Sequence, residues 1–148
     1  MTRLPIVWQR LVSAGKTCER CGATEAHLQT AVTKLRQALA PLNIEPTLEV
    51  REIDQSSFKE TPSESNRIWM AGKPLEEWVG ASVGSSTCCS VCGESPCRTV
   101  EVEGVVHEEI PEAVIVRAAL VAASGLIGGG RRDGCDASID RSYAGRRF

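Results

Sequence analysis

A chain of 148 residues, 42% hydrophobic and 24% charged, has the composition of one globular domain whose core is large enough to fold without covalent staples. A formal net charge of -2 argues against a general electrostatic grip on nucleic acid, and no apolar run reaches the roughly 20 residues that span a bilayer, so neither is expected as a partner. Seven cysteines are the unusual feature. The short apolar run near the N-terminus is broken by Gln9 and Arg10, which makes a poor signal peptide, so the expected location is cytoplasmic. In a reducing cytosol, clustered cysteines are more often metal ligands or redox centres than structural disulfides.

In chain order, Leu4 to Val12 is rich in β formers and apolar on both faces at its start, which predicts a well-buried strand. Ser13 to Thr17 makes a loop, and Cys18-Glu19-Arg20-Cys21 follows at once. Leu28, Ala31, Val32, Leu35, Ala38, Leu39 and Leu42 recur at helical spacing, and Pro41 and Asn43 fit a helix end near Ala40. Leu48, Val50 and Ile53 alternate with Glu49, Arg51 and Glu52 in a second strand with one wet face. A polar stretch from Gln55 to Ser65 precedes a third strand, Arg67 to Ala71, stopped by a turn at Gly72-Lys73-Pro74. Leu75, Trp78 and Val79 suit either a short helical turn or a strand. Gly80 to Ser95 is Gly-, Ser- and Cys-rich and predicts a loop. Arg98 to Val102 and Val105 to Glu109 flank Glu103-Gly104 as a β-hairpin. Pro111 and Glu112 open a last helix whose residues Ala113 to Ala123 are apolar except Arg117, predicting packing on two sides. The domain is expected to cover residues 1–124. Residues 125–148 carry five arginines and almost no periodic hydrophobics, for which disorder is the simplest account; Cys135 lies there without an assigned role.

Strand, loop, Cys-x-x-Cys, long amphipathic helix and strand is the order of a thioredoxin-like βαβ unit. A cysteine at a helix N-terminus feels the positive end of the macrodipole and free N–H groups, both of which favour thiolate over thiol. Spacing of i, i+3 brings the second sulfur to the same face, close enough for a disulfide or for shared binding of a soft metal. Cys18 is then the more exposed, attacking thiol and Cys21 the buried, resolving one.

Cys88, Cys89, Cys92 and Cys97 put four thiols into ten residues. Both Cys18–Cys21 and Cys89–Cys92 take the form Cys-x-x-Cys-Gly, and two such turns also build structural zinc sites. Zinc held by Cys18, Cys21, Cys89 and Cys92 is therefore the rival reading. Against it stand the long helix after the first pair and the two extra thiols, Cys88 and Cys97. The second cluster could instead bind a thiophilic metal by itself, or receive a disulfide from Cys18–Cys21 by exchange.

His27 and His107 read as solvated histidines rather than ligands. Trp69 and Trp78 could line a groove, with core packing the better account. Pro62 lies roughly where a cis-proline would face the active thiols of such a fold. Ser82 to Ser86 offers hydroxyls without a matched base and is discarded as a nucleophile site.

The set Cys18-x-x-Cys21-Gly, Ser65-Asn66-Arg67-Ile68, Gly72-Lys73-Pro74-Leu75-Glu76, Cys88-Cys89-x-x-Cys92-Gly, Cys97-Arg98-Thr99 and Glu109-Ile110-Pro111 resembles a bacterial and archaeal domain-of-unknown-function family described as thioredoxin-like. The resemblance covers about residues 4–123. It implies an α/β fold with a thioredoxin-like mixed central sheet, flanking helices and an inserted cysteine-rich loop, and it supplies no established activity. The expected function is thiol–disulfide exchange or soft-metal binding through Cys18 and Cys21 with Cys88, Cys89, Cys92 and Cys97. The partners would be protein thiols or a soft ion such as zinc. The alternative is a zinc-stabilised, non-catalytic binding module with a four-cysteine site.

Overall fold

The computed structural model describes residues 1–12, 15, 19–87 and 96–127. Within them the chain adopts the α/β class with a mixed sheet expected from the sequence. β1 (Thr2–Leu11) and β2 (Ile44–Ile53) run parallel in full register from Thr2↔Ile44 to Leu11↔Ile53. A parallel pair needs a long crossover, and α1 (Glu19–Leu39) supplies it. β3 (Arg67–Met70) pairs antiparallel with the other edge of β1, and β4 (Lys73–Pro74) returns beside β3 to complete the order β2-β1-β3-β4.

Helix α1 forms because its apolar residues fall on one stripe: Leu28, Ala31, Val32, Leu35 and Leu39 are buried, while Gln29, Lys34, Arg36 and Gln37 are exposed. Its last turn tightens into a 3-10 turn (Ala40–Leu42), and Asn43 takes the left-handed conformation that ends it. Leu4, Ile6 and Trp8 of β1 are wholly buried, whereas Pro5 is exposed and Val7 only half-buried. The strand therefore buries one face, not both. β2 carries its buried residues early, at Ile44 and Pro46; Val50, expected on the dry face, is exposed.

The polar stretch 55–65 is structured. Asp54 accepts a hydrogen bond from the Ser57 N–H at 2.8 Å and caps α2 (Gln55–Glu60), which buries Phe58 completely. A single large apolar residue in six gave no periodic signal, so the cap was the only readable cue. Pro62 opens a 3-10 turn (Pro62–Glu64), and there is no cis peptide bond among the described residues. The expected cis-proline is thus absent. α3 (Leu75–Val79) is the helical turn left open against a strand, closed by Gly80 at φ 65°.

The hairpin at Glu103-Gly104 is present, with both residues at positive φ, the primed turn that matches strand twist. It joins β6 (Pro96–Val102) to β7 (Val105–His107). Residues 82–87, expected in a loop, form β5 (Ser82–Thr87), an edge strand paired to β6 from Ser82↔Glu101 to Thr87↔Pro96. Its Gly and Ser content reflects exposure and close contact: a Cβ on Gly84 would lie 2.9 Å from the Thr99 hydroxyl oxygen. These strands make a separate three-stranded sheet rather than an extension of the first. Residues 88–95, and with them most of the expected cysteine loop, lie outside the described residues, as do residues 128–148 of the expected tail.

The last helix, α4 (Glu112–Ser124), packs on α1 and α3 through Val114, Ile115, Ala118, Ala119, Ala122 and Ala123. Leu120 and Val121 are exposed. The helix is buried on one side, not two; its uniform apolarity hid the difference.

Two buried polar assemblies lock these layers. In the first, the Trp8 indole N–H donates to the Asn66 side-chain oxygen (3.0 Å), and the Asn66 amide donates to the Thr24 hydroxyl (3.1 Å). That hydroxyl also accepts the Ile110 backbone N–H (3.1 Å), so both its lone pairs are used. The Ile110 carbonyl in turn meets His27 Nδ1 at 3.0 Å, which requires that nitrogen to carry the proton. His27 is therefore half-buried and engaged, not a solvated histidine. In the second, Arg98 of β6 pairs with Glu76 of α3, both almost fully buried, and donates to the Ser63 carbonyl (2.7 Å).

Replacing Thr24 by valine keeps the shape but orphans two buried donors, each costing about 1–3 kcal/mol. T24V is expected to lose about 2–5 kcal/mol in urea unfolding, while Thr24→Ser loses far less. Arg98→Met strands the Glu76 carboxylate and should cost about 3–5 kcal/mol, and adding Glu76→Leu should recover much of it. A double mutant no more stable than R98M would sink that account. The Ser57 N–H bond holds the Asp54 carboxyl below its usual range, so its contribution is complete above the unfolded-state value and lost as pH falls through the lower folded one. Hydrogen-exchange protection in α2, taken relative to the intrinsic exchange rate at each pH, should fall at acid pH in the wild type and show no such step in Asp54→Asn.

Candidate functional site

Of the candidate thiols, Cys21 and Cys97 are among the described residues; Cys18, Cys88, Cys89 and Cys92 lie outside them, as does Cys135. Cys21 stands in the first turn of α1 and is buried, with its sulfur 3.7 Å from the Ser65 hydroxyl, itself buried. Ser65 closes the 3-10 turn, where its N–H donates to the Pro62 carbonyl (3.2 Å). The next residue, Asn66, is at φ 55° and leads into β3. So the segment that faces Cys21 is Ser65-Asn66, three residues beyond the proline that the sequence suggested. Cys97 is buried in β6 as the register partner of Ser86.

Arg20, between the two cysteines of the first pair, reaches across to the second sheet. Its guanidinium donates to the Thr87 carbonyl (2.8 Å) and the Ser86 carbonyl (3.4 Å), and pairs with Glu108 (3.2 Å). The Ser86 hydroxyl donates to that same Glu108 carboxylate (3.2 Å). Only 12% of the Arg20 side chain is exposed, so it is partly desolvated, and its interactions are screened less than those of a surface pair. The covalent neighbours matter: Cys21 follows Arg20, Cys88 follows Thr87, and Cys97 lies opposite Ser86 on the ladder. One cation thus ties the chain beside the first cysteine pair to the chain on which the second cluster begins and ends. No side-chain pattern in the sequence announces this tie, because the partners of Arg20 are backbone carbonyls some 66 positions away.

The other candidates divide clearly. Trp78 donates its indole N–H to the Met70 carbonyl (2.8 Å) and lies under Lys73, while Trp69 stacks on Arg67; both are half-buried, and the fully buried tryptophan is Trp8. Ser82 and Ser86 sit on β5, the edge strand of the second sheet. Among the described residues no three His, Cys, Asp or Glu side chains gather as they would around a metal ion. No described helix is long and apolar enough to cross a membrane.

Arg98, Glu76, Asn66 and Ile110, four residues of the motifs quoted above, prove to hold elements together.

Comparison with known proteins places the chain. It is 39% identical over 108 residues to an uncharacterized protein of Archaeoglobus fulgidus, a span covering 73% of this chain and 79% of that protein. No solved structure matches. The family model described as Domain of unknown function (DUF2703) matches residues 4–119, and the chain belongs to that family.

Proposed function

We propose that Cys18–Cys21 and the Cys88–Cys97 cluster act as one thiol centre at the start of α1, and that its chemistry is thiol–disulfide exchange. The observation that carries this reading is the Arg20 tie to the Ser86 and Thr87 carbonyls. It joins the chain next to the first pair to the chain next to the second cluster, within the reach that a few residues of backbone allow. The thioredoxin-like order supports it further: parallel β1 and β2 are joined by α1, and antiparallel β3 lies on the other side of β1. Cys18 is the attacking thiol. Cys21, which is buried, is the resolving thiol, since a protein disulfide cannot reach a side chain that is 1% exposed. Cys89, Cys92 and Cys97 then exchange with the first pair, and the second cluster stores or passes on the disulfide.

A second reading draws on the repeated Cys-x-x-Cys-Gly form at residues 18–22 and 89–93, which suits one zinc bound by four sulfurs and a module without turnover. Metal analysis and thiol counting on anaerobically purified protein separate the two. The exchange reading expects a reversible Cys18–Cys21 disulfide and loss of disulfide reductase activity, with unchanged folding, in Cys18→Ser. One zinc per chain, with both thiols inert until it is removed and unfolding once it is gone, would overturn it. Arg20→Gln is expected to keep the Cys18–Cys21 couple while slowing transfer of the disulfide to the second cluster by about tenfold, the equivalent of one charge-assisted hydrogen bond. Unchanged transfer in that variant would remove Arg20 from the account.

A further inference from the structure

The hydroxyl of Ser65 lies 3.7 Å from the Cys21 sulfur, and no part of the exchange reading has used it. Its placement is heavily determined. Its own N–H is held by Pro62, and the residue that follows is held at both ends, by Trp8 and Thr24. Cys21 and Thr24 are one helical turn apart on α1 and meet Ser65 and Asn66 in the same order. The two consecutive residues therefore dock on an i, i+3 pair, and the Asn66–Thr24 bond sets the distance between the serine oxygen and the sulfur.

We propose that Ser65 is a positioning residue for Cys21: its hydroxyl donates to the Cys21 sulfur when that sulfur bears charge, and so favours the dithiol form of the Cys18–Cys21 pair over the disulfide. This rests on the exchange reading of those two cysteines. A thiolate has no proton to give, so the Ser65 O–H is then the donor. Both groups are buried, 2% and 1% exposed, so water does not compete for the bond.

In exchange, the Cys18 thiolate attacks a substrate disulfide RS–SR′, forming Cys18–S–SR and releasing R′S⁻. The Cys21 thiolate then attacks the Cys18 sulfur, forming the Cys18–Cys21 bond and releasing RS⁻. Two electrons pass from the dithiol to the substrate disulfide, and the two protons of the dithiol end on the released thiolates. The second step removes the charge that Ser65 solvates. Ser65 therefore opposes oxidation of the pair.

The test compares Ser65→Thr with Ser65→Val in the full chain, together with the wild type. The two variants are isosteric and differ only in the hydroxyl, so strain from the added bulk is common to both. Each protein is equilibrated with mixtures of reduced and oxidised dithiothreitol at pH 9, where thiols ionise. After acid quenching and alkylation, trypsin cuts behind Lys16 and Arg20, so a Cys18–Cys21 disulfide is recovered as peptides 17–20 and 21–34 linked together. S65V is expected to need a reduced-to-oxidised ratio about tenfold higher than S65T to open half of that bond, a shift of about 30 mV for a two-electron couple. Equal midpoints for the two variants would overturn the proposal while leaving the couple itself intact. If the wild type yields no linked pair at any ratio, the exchange reading has failed and the role of Ser65 falls with it.

Discussion

A single hydroxyl, that of Thr24, fixes how the layers of this protein meet. It lies at the centre of a buried chain of hydrogen bonds that begins at the Trp8 indole in the central strand and passes through Asn66. The chain ends on the peptide that precedes the last helix. Hydrophobic burial would allow α1 to slide or roll against the sheet at little cost, since apolar contact has no direction. Hydrogen bonds in a dry interior permit one register, because a slip leaves donors unpaired where water cannot replace the partner. His27, one turn further along, holds the carbonyl of Ile110, the same residue whose N–H goes to Thr24. The approach to α4 is thereby pinned at both main-chain polar atoms of one residue.

The ion pair of Arg98 with Glu76 plays the corresponding part for the second sheet. Burying two charges gains little net stability, and apolar residues of similar volume often do as well. What the pair contributes is direction. It joins β6 to α3, and the accompanying bond from Arg98 to the Ser63 carbonyl joins β6 to the turn that precedes β3. That turn ends at Ser65, the residue beside Cys21. A sheet that shares no strand with the first is in this way tied to the segment facing the buried thiol.

The sequence made the long helix, the first three strands, the Glu103-Gly104 hairpin and the last helix legible, because each carries either a full hydrophobic period or a turn whose backbone demands particular residues. It did not reveal β5, whose Ser and Gly residues are edge-strand residues chosen for exposure and for close contact with Thr99 rather than for β propensity. Nor did it reveal α2, where Phe58 is the sole apolar anchor. The two-sided packing expected of α4 failed for a related reason: a helix with Leu120 and Val121 on its outer face has the composition of a buried one. At the site, the cysteine spacing was readable, whereas Arg20, Ser65 and Thr24 were not. Their partners are main-chain atoms or distant side chains, and such pairings exist only once the fold has formed.

The first turns of α1 concentrate these constraints. Arg20 reaches the second sheet, Cys21 meets the turn before β3, and Thr24 meets Asn66 and the approach to α4. Glu25 pairs with Arg10 of β1, and His27 returns to Ile110. Five side chains within eight positions thus address four separate segments: β5, the turn before β3, the approach to α4, and β1. A helix start held from so many directions cannot adjust its angle to relieve strain at one residue. The sulfur of Cys21 is consequently presented in a fixed place, beside a hydroxyl that is fixed by the same bonds. Chemistry that depends on a sulfur–sulfur distance benefits from that rigidity. A thiol pair on a freely moving loop would have to recover the same geometry at every turnover, against the entropy of the loop.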